Sequence, residues 1–254
     1  MEIYLTSSPF AGHEDPAQDH TQCADRPISE ANGFAERLKK SAAGCRRGLL
    51  VASDPDNAAF TEMISADIKK ALFLSGISFE SWKELDRRNQ ANAAGIVSES
   101  DFIVLAGGHT PTQNRFFHEI GLRKLLEKKS GKCVLMGISA GSMNAASLVY
   151  AQPEEEGESL DPKYERFLPG LGLTDVMIIP HYQRIRDRIL DGKRLFEEIT
   201  VPDSMGRYLY LLSDGSYLYA NGDIARIYGE LHIMKDGVIR RVANEGGVTA
   251  LIGE

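Results

Sequence analysis

Hydrophobic positions along the 254-residue chain alternate between short unbroken runs and longer, spaced ones. EIYLTSS (2–8), GLLVAS (48–53), FIVLAGG (102–108) and CVLMGIS (133–139) are compact apolar runs that end in Gly or Ser. Runs that stay apolar at consecutive positions suit parallel strands covered on both faces. Between them the spacing changes. Residues 57–75 carry Phe60, Ile64, Ile68, Ala71 and Leu72 at three- and four-residue steps, and 111–128 carry Phe117, Ile120, Leu122 and Leu125. This period predicts helices with one apolar face. Pro55 and Pro111 stand where a first helical turn tolerates proline. The βαβα order of the first half predicts an α/β protein with right-handed crossovers.

Further along, the pattern loosens. AQPEEEGESLDP (151–162) predicts a solvated acidic loop, and DVMIIPH (175–181) another strand. RIRDRILDGKRLFEEI (184–199) predicts an amphipathic helix with Ile185, Ile189 and Phe196 on one face. Residues 208–242 predict strands and turns, with SDGS, NGD and KDG as the turn signals, hence a C-terminal β-hairpin region. Residues 9–29, rich in Pro, Asp, His and Gln, predict a surface insertion. No internal repeat or long linker interrupts the chain, so 1–254 is expected to be a single domain whose C-terminal strands join the same sheet system.

Composition narrows the function classes. The chain is 43% hydrophobic, which excludes intrinsic disorder. No apolar run approaches ~18 residues, so no membrane association is expected. The N-terminal MEIYLTSSPF lacks a basic n-region and a long apolar h-region. With 29 basic and 36 acidic side chains the net charge is −7, which argues against nucleic-acid binding. Three cysteines without CxxC spacing, Cys23, Cys45 and Cys133, point away from a disulfide framework or a structural zinc and toward a reducing cytoplasm. His13, His20 and Cys23 match no zinc spacing, and neither GxGxxG nor a P-loop occurs. No metal or cofactor is expected.

The most informative segment is Gly137-Ile138-Ser139-Ala140-Gly141, a GxSxG placed after an apolar strand and before a small-residue helix start. A sharp strand-to-helix turn exposes the middle hydroxyl above the sheet, with the following amide aimed at whatever it attacks. Ser139 is therefore the candidate nucleophile, and the Ala140 amide half of an oxyanion hole. Gly107-Gly108, at the end of another strand, supplies a candidate second donor.

Six histidines compete for the role of base. His118 falls within a helix and His232 in an alternating strand. His109 follows the double glycine and is a candidate to line the pocket. His181 ends an apolar run, at the strand edge where open α/β sheets keep their sites. Asp214, after Tyr210-Leu211-Leu212-Ser213, is the candidate carboxylate, although Asp-Gly is also an ordinary turn. The chain order of α/β-hydrolases (Ser, acid, His) offers a competing esterase set: Ser139, Asp214 or Asp175, and His232.

GISAGS after a buried strand, GGHT at the preceding strand end, PHY before an arginine-rich stretch and a late LLSDGS together resemble the dipeptidase E family of serine peptidases, which includes the cyanophycinases. The resemblance covers about residues 2–230, excluding the 9–29 insertion. It implies a flavodoxin-like three-layer α/β sandwich with a mostly parallel central sheet, related to class I glutamine amidotransferases. It implies Ser139 as nucleophile, His181 as base, Asp214 as third member, and the Gly108 and Ala140 amides as oxyanion donors. Asp214 stands where the family usually has glutamate, one methylene longer. His109 stands where the dipeptidases carry Asn and the cyanophycinases Asp. Family members favour aspartyl substrates, so a cation at the pocket is expected, with Arg115, Arg184 and Arg186 the candidates. The expected partner is a small peptide, with a homodimer left open. The other alternative is a non-catalytic binding member of the same fold.

Overall fold

The computed structural model describes residues 1–10, 26–222 and 224–251. Most of the predicted 9–29 insertion lies outside them, as do His13, His20 and Cys23. The first half of the chain lays down β1 (Glu2–Thr6), β2 (Arg47–Val51), β3 (Ser81–Leu85), β4 (Phe102–Leu105) and β5 (Val134–Ile138). All are mutually parallel, in spatial order β1-β5-β4-β2-β3. Leaving β1 aside, the order β3-β2-β4-β5 is the winding of flavodoxin-like sheets.

Strand periodicity explains why the sheet needs cover on both sides. Leu49, Val51, Ile103, Leu105 and Leu135 face one way, against α3 (Ala93–Glu99), α4 (Thr110–Glu119) and α5 (Leu122–Glu127). Leu50, Phe102, Val104, Val134 and Met136 face the other, against α1 (Phe34–Ala42) and α2 (Ala58–Leu74). Period-two alternation thus becomes a helix–sheet–helix sandwich.

The predicted helices are present with altered edges. Helix α2 begins after Pro55, because the Asn57 side chain accepts the Phe60 N–H at 3.1 Å and caps it. Pro111 does sit in the first turn of α4. The 111–128 pattern is two helices, since Gly121 takes a left-handed φ of 64° between them.

The predicted helix over 184–199 is a correction. Only Tyr182–Ile185 is α-helical; the chain then forms a hairpin, Ile189–Leu190 against Lys193–Arg194, and a π-helical turn at Leu195–Thr200. The reason is local. Asp191 and Gly192 take positive φ values of 53° and 78°, the two-residue turn for which Asp-Gly is suited.

The C-terminal strands divide between two sheets, another departure from expectation. Tyr217–Asn221, Ile224–Tyr228 and Val248–Ala250 extend the main sheet beyond β1 with antiparallel pairing, making eight strands. Tyr208–Leu212, Leu231–Lys235 and Val238–Ala243 instead join Met177–Ile179 in a four-stranded sheet. This second sheet packs Ile178, Leu212 and Leu231 into the main core, while Ile179, Leu209, Leu211 and Met234 form a core of their own with Phe196. Among the described residues no helix is long and apolar enough to cross a membrane.

Candidate active site

Strand β5 leaves the sheet at Ile138, and Ser139 turns with φ 49° and ψ −112° before Ala140–Asn144 coils into a short helix. For a residue with a Cβ this backbone is strained, at a cost of about 1–3 kcal/mol. Hydrogen bonds oppose the strain. The Ser139 N–H donates to Thr6 O at 3.1 Å, and the Ser142 hydroxyl donates to the same carbonyl at 2.8 Å. The turn is also tight against β4, since a Cβ on Gly141 would lie 2.3 Å from Leu105 O. A Cβ on Gly107, two residues past β4, would lie 3.4 Å from Ser139 Cβ. The two glycine-bearing turns are therefore neighbours, as the sequence pattern requires.

His181 follows Pro180 at the end of the second sheet's Met177–Ile179 strand and takes a left-handed φ of 58°. Its Nε2 lies 2.9 Å from Ser139 Oγ and its Nδ1 lies 2.6 Å from Asp214 Oδ1. A carboxylate at Nδ1 keeps the proton on that nitrogen, leaving Nε2 to accept from the serine hydroxyl. The one-methylene-shorter Asp214 thus spans the gap to the imidazole. Its carboxyl is only 9% exposed. Burial alone would raise its pKa, but the His181 hydrogen bond and charge, the Ser7 hydroxyl and Arg184 outweigh burial and hold the carboxyl down to about 2.

Sequence reasoning missed Ser7. This fully buried serine at the end of β1 accepts the His181 N–H at 2.7 Å, and its hydroxyl lies 2.9 Å from Asp214 Oδ1. Gln183 was missed too; its side-chain oxygen accepts the Asp214 N–H at 3.0 Å. The only available signal for Ser7 was its place at the C-terminal end of a predicted strand.

The other candidates separate. A pocket of about 310 Å³ opens beside Ser139, and Gly107, Gly108, His181, Arg184 and Asp214 line it. Arg184 Nη1 lies 3.5 Å from Asp214 Oδ2. His109, Arg115 and Arg186, the other candidates for substrate binding, do not line this pocket. The His109 ring is held by Thr112 and Glu158, each at 2.8 Å. Arg115 points outward from α4, and Arg186 pairs with its neighbour Asp187 at 3.1 Å. His118 contacts Pro169 O on the same helix's outer side.

The competing esterase set does not assemble. Asp214 binds His181, whereas the His232 ring lies tilted against Tyr182, with centroids 4.8 Å apart, and has Glu230 within 4.0 Å. Asp175 is taken up by the Ser147 hydroxyl.

The acidic loop is more ordered than its composition suggests. Glu158 accepts the backbone N–H groups of Glu154 and Glu155, and Glu154 accepts the Thr110 hydroxyl at 2.7 Å. Burial pushes the Glu154 pKa upward. Among the described residues, His109, Glu155 and Glu158 are the group whose ligand atoms could surround a cation. Hydrogen bonds employ the Glu158 carboxylate and both His109 nitrogens.

A hydroxyl on a strained strand-to-helix turn, an imidazole and a buried carboxylate in line, all beside a pocket at the sheet edge, define a serine hydrolase of the α/β class. The family model described as Peptidase family S51 matches residues 55–228, and the chain belongs to that family. It is a serine peptidase of the dipeptidase E type. Among solved structures, a peptidase from an acI-B1 Actinobacterium aligns over 98% of this chain and 96% of its own, with TM-score 0.62 and 18% identity. A candidate Peptidase E protein from Listeria monocytogenes EGD-e aligns over 95% and 98%, with TM-score 0.57 and 16% identity. At such identities the likeness is one of fold. No curated protein matches the chain.

Proposed function

We propose that the protein hydrolyses small peptides through an acyl-enzyme on Ser139. His181 takes the hydroxyl proton as Ser139 attacks the scissile carbonyl, and the Gly108 and Ala140 amides receive the developing oxyanion. Collapse of the tetrahedral intermediate breaks the peptide bond as His181 returns that proton to the leaving amine. Water, activated by the same imidazole, then releases the acyl group. Asp214 holds the imidazole in the required tautomer and stabilises its charged form.

The observation that carries this reading is His181 itself, with one ring nitrogen 2.9 Å from Ser139 Oγ and the other 2.6 Å from Asp214 Oδ1. The substrate class follows from the resemblance and from Arg184, a cation at the pocket: peptides bearing an acidic group such as aspartyl. We read 1–254 as one functional unit, because Ser7, Ser139, His181 and Asp214 come from both sheets and converge on one site. Cytoplasmic residence is part of the same reading, supported by Cys45 and Cys133, both free and buried.

Labelling with a fluorophosphonate, mapped by peptide mass spectrometry, tests it. The adduct belongs on Ser139, is lost in His181→Ala and persists in His232→Ala. Labelling that survives His181→Ala but not His232→Ala contradicts the proposed base.

A further inference from the structure

Helix α2 carries an apolar stripe longer than the core can absorb. Phe60, Ile64 and Ile68 follow one another at four-residue steps, on one face of the helix. Ile68 is buried in the core, whereas Phe60 and Ile64 stay partly exposed. All three line the pocket beside Ser139, joined by Phe10 and Ile138. The charged groups around this apolar wall are Arg184 and Arg26, whose guanidinium lies over the Phe10 ring at 4.8 Å, together with Asp214.

Concave sites that combine an apolar wall with a few convergent polar groups select ligands of the same mixed character. A carboxylate pressed against Phe60 and Ile64 would lose its hydration without gaining a partner there. An aliphatic or aromatic side chain would instead leave water on favourable terms.

We infer that the α2 wall of Phe60, Ile64 and Ile68 selects peptides in which an aliphatic or aromatic residue adjoins the scissile bond. Within the acidic peptides of the proposed function, the apolar partner is then a determinant of specificity. This inference rests on Ser139 being the nucleophile, since it takes its meaning from the pocket's position beside that residue.

The test is a panel of dipeptides, Asp-X and X-Asp, with X as Leu, Phe, Ser or Lys, assayed with the full chain. In whichever series is cleaved, kcat/KM for Leu and Phe should exceed that for Ser and Lys by at least about tenfold, the scale of discrimination expected from an apolar pocket. Ile64→Asn and Phe60→Ala should each shrink the Leu-to-Ser ratio severalfold. A ratio is insensitive to how much of a variant is folded. A flat panel, a preference for Ser or Lys, or an unchanged ratio in both variants overturns the inference while Ser139 still labels with fluorophosphonate. Failure of wild-type Ser139 to label overturns the nucleophile reading instead.

Discussion

The Ser7 hydroxyl binds His181 through its backbone: the His181 N–H donates to Ser7 Oγ at 2.7 Å, and the same hydroxyl lies 2.9 Å from the carboxylate that binds the His181 ring. One buried side chain from the first strand therefore fixes the imidazole both at its backbone and through Asp214. His181 holds a left-handed φ of 58°, a conformation a non-glycine residue keeps only when its surroundings impose it.

Ser7→Ala should leave that N–H without its acceptor. The expected cost is ~1–3 kcal/mol in stability, the usual penalty for a buried donor left unsatisfied. If the displaced imidazole loses alignment in the transition state, kcat should fall with KM little changed. Denaturant unfolding and steady-state kinetics check the two parts. A variant with wild-type kcat would show that Ser7 has no part in positioning.

The depressed Asp214 pKa carries a pH signature. A carboxyl at about 2 in the folded protein, against an ordinary 3.8, stabilises the fold above the unfolded value. That stabilisation, ~2 kcal/mol by linkage, disappears as pH falls from about 4 to 2. Asp214→Asn has no carboxyl to titrate, so its acid-induced loss over this window should be smaller than that of wild type. Equal losses in urea titrations at pH 5 and pH 2.5 would contradict the assignment.

Asp214→Asn should also be nearly inactive at neutral pH. An amide that donates to His181 Nδ1 leaves the wrong tautomer facing Ser139, and such a change lowers kcat on the order of 10⁴-fold. Comparison of kcat with wild type checks it.

Gly141→Ala tests the turn's packing. Its Cβ would stand 2.3 Å from a backbone oxygen of β4, so either the turn or the strand must move. A destabilisation of ~1–3 kcal/mol or more is expected from overpacking alone, read as a lower Tm.

Glu158 gathers the acidic loop through two backbone N–H groups and His109. Glu158→Ala should free residues 154–158, seen as faster amide exchange there than in wild type, with little change in the β-sheet core.

Much of this arrangement is visible in the sequence, because its signals are local. Buried parallel strands announce themselves as apolar runs, and GISAGS fixes both a strand end and a helix start within six residues. The strands carrying His181 and Asp214 are legible in the same way. What escapes the sequence depends on distant partners. Ser7 is one serine at a strand end, and its partners lie 174 and 207 residues away. The C-terminal strands alternate alike whether they extend the main sheet or build the second one, so their division depends on which edge each meets. The 184–199 stretch has helical spacing, yet the Asp191-Gly192 turn overrides it. The acidic loop looks solvated by composition, while Thr110 and His109 hydrogen-bond to two of its half-buried glutamates.

The central claim is that turnover passes through an ester on Ser139, and intact-mass analysis of enzyme quenched during turnover of an activated ester substrate measures it most directly. The account predicts a mass increase equal to the acyl group, carried by the peptide containing Ser139, absent in Ser139→Ala together with turnover. Undiminished turnover by Ser139→Ala, or an adduct on another residue, would contradict it.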